Sequence, residues 1–282
     1  MARVAALVVA YYSSAEVLQL SKSLAASTGG HEIEIYVIDN TGDADELAAL
    51  EAIPGIARLV ASPENLGYGG GVNALVKELN REFDWYLVCN PDIRFQADAV
   101  DNLIRATDRH PTSALFGPRV VGTDKVIYPS ARAFPAIRTG VGHALFANIW
   151  PANPWTKRYL RRGDAESTED TEVDWLSGAC LLVRPAAYHQ VGGFDDGYFM
   201  YFEDVDLGWR LAKAGWTAMF VPSAHIVHSG AHSTRTHASR MRKEHHRSAE
   251  RFLSRKYSAW WLAPLRWALR FALYVRREFF RG

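Results

Sequence analysis

The sequence predicts an α/β protein with a mixed, mostly parallel β-sheet flanked by helices. Three observations carry this. Short apolar runs alternate with amphipathic helical segments through the first half of the chain, the order that builds parallel strands through helical crossovers. The first run, residues 4–11, is continuously apolar, as a strand buried on both faces is. Polar residues (Asp39, Asn40, Asn90 and Asp92) stand at strand ends, where open α/β sheets bind ligands.

The elements follow in order. After the first strand, Ser13 or Ser14 offers an N-cap to a helix carrying Val17, Leu18, Leu20 and Leu24. Residues 33–38 form a second strand and 57–61 a short third. A helix entered through glycines spans 69–79. Residues 85–89 form a fourth strand, 97–109 a helix and 113–116 a further strand. Residues 129–170, punctuated by Pro129, Pro135, Pro151 and Pro154, read as a long functional excursion within one domain. Regular structure returns as a strand at 179–183, a helix at 203–214 and a strand at 217–221.

Composition bounds the function. With 282 residues, 48% hydrophobic residues and a net charge of +1, the chain can bury a real core and is not disordered. Cys89 and Cys180 lie in apolar runs, which excludes a disulfide scaffold and suits a reducing compartment. No cleavage-type leader follows Met1, and no uncharged apolar run reaches the roughly 18 residues of a membrane span.

The small net charge hides an asymmetry. Residues 240–282 carry 12 Lys/Arg against 3 Asp/Glu, a net of +9, whereas the first 239 residues are net −8. We therefore expect a main domain over 1–235 and a basic, aromatic helical tail over 236–282. On a helix opened by Pro264, Arg266, Arg270, Arg277 and Arg281 fall within about 60° of one another. Trp267, Ala268, Phe271, Ala272, Val275 and Phe279 spread over much of the opposite side, with Leu273 on the basic side, and Trp260 and Trp261 add interfacial aromatics. The expected partner is an anionic membrane surface; packing on the domain or a homo-oligomer contact is the alternative. No nucleic-acid-binding motif accompanies the tail, so no nucleic acid is expected. His237, His245 and His246 read as surface or membrane-facing residues.

Four constellations carry chemistry. In 65–73 (Asn-Leu-Gly-Tyr-Gly-Gly-Gly-Val-Asn), glycines ahead of a helix let backbone approach a diphosphate, or simply pack closely. Asn90-Pro91-Asp92 can present a carboxylate to a cation on a nucleotide diphosphate, and equally makes a good turn. Glu203, Asp204 and Asp206 bunch at a helix start beside Tyr198, Phe199, Met200 and Tyr201. Capping explains carboxylates there, but the aromatic surroundings point to a partly dry acid/base site. His225 and His228 follow a strand end, as a solvated turn or as imidazoles completing a cation site.

Together with 37–40 (Val-Ile-Asp-Asn), 175–179 (Trp-Leu-Ser-Gly-Ala), 192–195 (Gly-Gly-Phe-Asp), 202–207 (Phe-Glu-Asp-Val-Asp-Leu) and 214–216 (Ala-Gly-Trp), these segments resemble the inverting family-2 glycosyltransferases of the GT-A, or nucleotide-diphospho-sugar transferase, fold. Residues 128–132, 150–155 and 260–267 resemble the actinobacterial rhamnosyltransferase branch, whose members build the linker joining arabinogalactan to peptidoglycan at the cytoplasmic face of the plasma membrane. The resemblance implies transfer of rhamnose from dTDP-β-L-rhamnose to polyprenyl-diphosphate-linked N-acetylglucosamine, with Mg²⁺ or Mn²⁺ as cofactor. It implies that Tyr11 and Asp39 line the nucleoside pocket, with Asn65, Gly67, Asn73 and Asn90 near the nucleotide-sugar. Trp175 and Gly178 would shape the sugar pocket. Asp92 and His228 would meet the metal. Asp204 would be the general base and Glu203 would orient the acceptor, with Tyr201, Arg132 and Arg138 on the acceptor side. Two features depart from the family pattern: the first position of the metal motif is Asn90 rather than aspartate, and the first strand ends Tyr11-Tyr12-Ser13. Another nucleotide-sugar donor, a nucleotidyltransferase, and a silent scaffold binding lipid-linked glycans are the competing readings; the first strand lacks the basic glycine loop that the nucleotidyltransferase needs.

Overall fold

Strand β1 (Arg3–Ala10) is buried on both faces, and the sheet is built outward from it. In a computed structural model of the chain, which describes residues 1–135, 150, 167–230, 238–268, 270 and 271, Val4, Ala6, Val8 and Ala10 enter one hydrophobic cluster. Ala5, Leu7 and Val9 enter the other. Period-two geometry sends alternate side chains to opposite faces, so a continuous apolar run fits only a central strand.

The elements in chain order are β1, α1 (Ser14–Ala25), β2 (Glu32–Asp39), α2 (Ala44–Glu51), β3 (Ile56–Ala61), α3 (Gly67–Lys77), β4 (Trp85–Cys89), β5 (Ile93–Phe95), α4 (Ala99–Arg109) and β6 (Ser113–Gly122). They continue with β7 (Ile127–Tyr128), β8 (Ala131–Arg132), β9 (Thr171–Val173), β10 (Trp175–Leu176), β11 (Cys180–Val183), α5 (Pro185–Gln190), α6 (Glu203–Lys213), β12 (Thr217–His228) and α7 (Ala238–Lys256). A 3₁₀ turn follows at Trp260–Leu262. The sheet order is β3-β2-β1-β4-β11-β6-β12-β5. β3, β2, β1 and β4 are parallel, as are β6 and β12; β11 runs antiparallel between the two groups. The carboxyl ends of β1, β2 and β4 therefore share one edge, and the amino end of β11 joins them there. Cys180 pairs directly with Cys89, and both thiols are buried and free.

The structure corrects several sequence expectations. Ser13 is the N-cap residue of α1, but its side chain makes no cap bond. Glu46 of α2 accepts from the Ser13 and Ser14 N–H groups instead, at 2.6 and 2.7 Å. Helix α2 itself was not expected, because only Leu50 of its residues is buried and its apolar pattern is weak. β12 does not stop at Val221. It bulges between Val221 and His225 and continues to His228, so both histidines lie within a strand rather than beyond one. Most of the 129–170 excursion, including Arg138, lies outside the described residues.

Part of the expected basic surface is tied inward. α7 packs on the body through fully buried Phe252, and Arg251 and Arg255 pair with Asp195. Arg266 donates to the Tyr257 and Ala259 carbonyls and Arg270 pairs with Glu250. Arg277 and Arg281 lie outside the described residues. The aromatic expectation stands differently: Trp260 is 81% exposed and Trp261, Trp267 and Phe271 are exposed with it.

Helix α3 approaches the sheet through its glycines. A Cβ on Gly71 would lie 2.9 Å from Val9 Cγ2 and 3.3 Å from Ile38 Cγ2, and one on Gly69 would lie 2.8 Å from Phe194 Cβ. Close packing is thus a demonstrated role of this motif. Overpacking a well-filled core costs about 1–3 kcal/mol, so Gly71→Ala should lower stability by that amount in urea unfolding.

Candidate functional site

A chain of hydrogen bonds joins the motifs at the carboxyl edge of the sheet. Asn40, at the end of β2, donates through Nδ2 to the Gly67 carbonyl at 3.0 Å. The next residue, Tyr68, donates its N–H to Phe199 O at 3.2 Å and its hydroxyl to Gly178 O at 2.6 Å. Gly178 N–H donates to Asp204 Oδ2 at 2.8 Å. Beside it, the Asn90 N–H donates to Ala179 O at 2.9 Å, so the metal motif hangs from the same turn. Tyr68 was not among the expected site residues; its place inside the glycine motif is the signal that marked it.

Gly67 must be glycine. Its φ is +72°, and a Cβ there would sit 2.2 Å from Phe199 O. Asn65 accepts from the Gly67 N–H at 2.9 Å and is otherwise exposed. Asn73 is different. Its Oδ1 accepts from Tyr188 OH at 2.5 Å and Phe194 N–H at 3.0 Å, and its Nδ2 donates to Phe194 O and Asp196. An amide with both ends engaged has nothing left for a nucleotide-sugar, so Asn73 braces the 193–196 loop.

On the donor side, Asp39 is buried at the end of β2, and its Oδ1 accepts from the Thr41 N–H and hydroxyl at 2.9 and 2.6 Å. Tyr11 is exposed just beyond β1 and meets Tyr12 edge-on. Asp92 Oδ1 and His228 Nε2 pair at 3.1 Å, both partly exposed, bringing together residues 136 apart in sequence. Among the described residues no group of three or more His, Cys, Asp or Glu side chains gathers in metal-binding geometry. A lone carboxylate and imidazole nevertheless suit a hard divalent cation that takes its other ligands from diphosphate oxygens and water.

The acid/base end is formed at the start of α6. Tyr201 and Phe202 precede it with φ of +66° and +65°. Left-handed backbone at such residues costs about 1–3 kcal/mol each and persists only where surrounding contacts enforce it. It delivers two carboxylates side by side. Asp204 accepts from two backbone N–H groups, Gly178 to Oδ2 and Val205 to Oδ1, each at 2.8 Å. Glu203 is 7% exposed, and its Oε2 is buried without a hydrogen-bond partner. Burial, then the Asp204 charge, pushes the Glu203 carboxyl up to about 8. Burial also raises Asp204, but the Gly178 and Val205 N–H groups and the Arg132 charge oppose it. Burial and mutual repulsion thus disfavour ionising both carboxyls, and the backbone donors and Arg132 favour the charge on Asp204 over Glu203.

Arg132 lies on β8, paired with Trp175 on β10. Its guanidinium is 5.2 Å from the Tyr128 ring centroid and 5.6 Å from that of Trp175. Trp175 is buried, donates Nε1–H to Ala133 O, and packs with Tyr198, Val205 and Phe252. It thereby packs against α6, where a Cβ on Gly208 would lie 3.0 Å from Trp175 Cβ. Asp206, the third carboxylate of the bunch, is fully buried and paired with Arg210 and Arg255, so it is a structural ion pair rather than part of the acid/base site. His245 faces Tyr201 and Phe202, with ring centroids 5.4 Å from each, which places one of the expected surface histidines beside this end of the site.

A sequence profile described as "Glycosyltransferase like family 2" matches residues 2–250. The chain belongs to glycosyltransferase family 2. It is 42% identical over 254 residues to the N-acetylglucosaminyl-diphospho-decaprenol L-rhamnosyltransferase of Mycobacterium tuberculosis, covering 86% of this chain and 82% of that one. It is 34% identical over 198 residues to Rhamnosyltransferase WbbL of Escherichia coli K12, covering 67% of this chain and 71% of that one. Among solved structures, GalNAc-T7 with UDP, GalNAc and Mn²⁺ shares the fold, with a TM-score of 0.58 at 11% identity over 82% of this chain. This chain spans 44% of that larger protein. The expected fold and family are therefore shown, and the chain is an enzyme of the glycosyltransferase class.

The raised carboxyl of Glu203 has a consequence for stability. The unfolded chain loses that proton near the ordinary 4.5 and the folded protein near 8, so between these values the folded state binds more protons. Stability should fall as pH rises from about 4.5 to about 8. Glu203→Gln should flatten that slope in urea titrations across the window.

Proposed function

We propose that this enzyme transfers L-rhamnose from dTDP-β-L-rhamnose to N-acetylglucosaminyl-diphospho-polyprenol with inversion, a step in building the cell-wall arabinogalactan linker. The observation that carries the reading is the 42% identity, over most of both chains, to the mycobacterial rhamnosyltransferase. The acid/base geometry supports it.

In this reading Asp204 takes the proton from the acceptor hydroxyl. The acceptor oxygen then forms its bond to the anomeric carbon from the face opposite the nucleotide, and the bond to the dTDP oxygen breaks. Asp204 would be suited to the task because backbone donors at both oxygens favour its carboxylate form in a partly buried position. Glu203, whose carboxyl burial pushes up to about 8, would offer a hydroxyl that orients the acceptor. Asp92 and His228 would hold a Mg²⁺ or Mn²⁺ ion, which supplies charge neutralisation for the departing diphosphate. Asp39 and Tyr11 would border the nucleoside, and Arg132 and Tyr201 the acceptor side.

No helix among the described residues is long and apolar enough to cross a membrane. The reading places the enzyme peripherally at the cytoplasmic face of the plasma membrane, held by exposed Trp260, Trp261, Trp267 and Phe271 beside an arginine-rich tail. This would bring the site to a lipid-linked acceptor.

Three outcomes test the proposal. Purified enzyme with polyprenyl-diphosphate-N-acetylglucosamine, Mg²⁺ and a panel of nucleotide sugars should give a lipid product heavier by one deoxyhexose from dTDP-rhamnose alone, and none after chelation. Transfer from another donor would remove the rhamnosyl assignment. Asp204→Asn should lower turnover by about 10²–10⁴-fold without unfolding, the range that general-base removal costs; near-normal turnover would defeat the base assignment. A full-length variant with Trp260, Trp261 and Trp267 changed to Ala should lose co-sedimentation with anionic vesicles, while unchanged sedimentation would contradict peripheral docking through this patch.

A further inference from the structure

The two carboxylates stand on a first helical turn that α6 does not secure by itself. Phe202, the N-cap residue, contributes no side-chain cap, and both it and Tyr201 are in the left-handed region. Beside the Tyr68, Gly178 and Tyr198 hydrogen bonds, a set of contacts that brace this arrangement comes from α7. Ser248 Oγ donates to Met200 O at 2.8 Å. The His245 ring covers those of Tyr201 and Phe202, and the Phe252 ring centroid lies 5.8 Å from that of Phe202.

Arg255 completes the set. Its Nη1 donates to Asp206 Oδ1 at 3.0 Å and to Asp195 Oδ2. Asp206 has no solvent exposure, so its charge needs compensation in place. Arg210 supplies one partner, at 2.6 Å, but belongs to the same helix and follows wherever α6 goes. Arg255 comes from another element, and the Asp206 N–H makes the first backbone bond of α6, to Phe202 O at 2.8 Å. An arginine bridging Asp195 and Asp206 therefore ties the loop before α6 and the first turn of α6 to α7 at once.

We propose that Arg255 is a positioning residue for glycosyl transfer. Acting through Asp206, it holds Asp204 and Glu203 where they meet the acceptor hydroxyl. It touches no reacting atom. The inference rests on the assignment of Asp204 as the base, and the two fail separately: an active Asp204→Asn enzyme would sink the base, whereas an inactive one with an unimpaired Arg255 variant would sink the positioning role alone.

The test compares full-length Arg255→Met and Arg255→Lys with Leu24→Ala. Leu24 is a buried core residue of α1, outside the site, and its truncation lowers stability without touching α6 or α7. Kinetics are measured well below each variant's Tm. Misplacing a reacting group by about 1 Å costs up to about 10²-fold. Arg255→Met should therefore lower kcat by at least about tenfold, with KM for dTDP-rhamnose unchanged, because the donor residues sit on other elements. Both bonds come from the one Nη1, so a lysine ammonium can restore part of the bridge, though on a shorter, strongly hydrated point charge; Arg255→Lys should give an intermediate kcat. Leu24→Ala should keep the wild-type kcat. Wild-type kcat in either Arg255 variant would overturn the proposal. So would an equal loss in Leu24→Ala, or a rise in donor KM in step with the fall in kcat. If Arg255→Met does not fold, Arg255→Lys carries the same reading.

Discussion

Glu203 and Asp204 stand side by side at the start of α6, where burial and their mutual charge disfavour ionising both, and the candidate site is organised around that constraint. They share a helix start, and loss of solvation raises both carboxyls, Glu203 being the more deeply buried. Which residue holds the charge is settled by donors: Asp204 has two backbone N–H groups and the Arg132 field, and Glu203 Oε2 has no partner. The proposed division of labour, Asp204 as base and Glu203 as hydrogen-bonding acid, would follow from this difference in surroundings.

The rest of the structure serves to hold that asymmetry. Gly178 can donate to Asp204 because β11 runs antiparallel beside β4, which brings the 175–179 turn to the carboxyl edge of the parallel strands. Tyr68 reaches Gly178 because α3 begins at a glycine tolerating φ of +72°, with the Phe199 carbonyl where a Cβ would be. The aromatic and arginine contacts from α7 keep Tyr201 and Phe202 in the backbone state that presents the pair. Helix α7 thus packs directly against the segment that carries the two carboxylates, besides leading into the expected membrane-facing segment.

Much of this was legible in the sequence, for identifiable reasons. β1 and β4 were readable because uninterrupted apolar runs have few other uses, and Glu203-Asp204 stood out as carboxylates among aromatics. Helix α2 was missed because it buries only Leu50, although Asp43 capping ahead of Glu46 was a usable signal. The extension of β12 past Pro222 was hidden by a proline that sits in a bulge. Asn73 was expected near the nucleotide-sugar from the family resemblance; only the structure shows its amide engaged by residues 115 and 121 positions away. Asp206 was indistinguishable by pattern from its neighbours, and its role depends on Arg255, 49 residues on. Long-range partners of this kind leave no local trace in sequence.

The placement of one shared charge on Asp204 can be observed directly. Carbon-13 NMR of side-chain carboxyls, titrated in the wild type, Glu203→Gln and Asp204→Asn, would follow each group. The account predicts a glutamate carboxyl titrating near pH 8 in the wild type, absent in Glu203→Gln, and moved to lower pH in Asp204→Asn, where the neighbouring charge is gone. A near-neutral titration that survives in Glu203→Gln and belongs to an aspartate would contradict it, because the proton would then rest on Asp204 and leave no base for the acceptor hydroxyl.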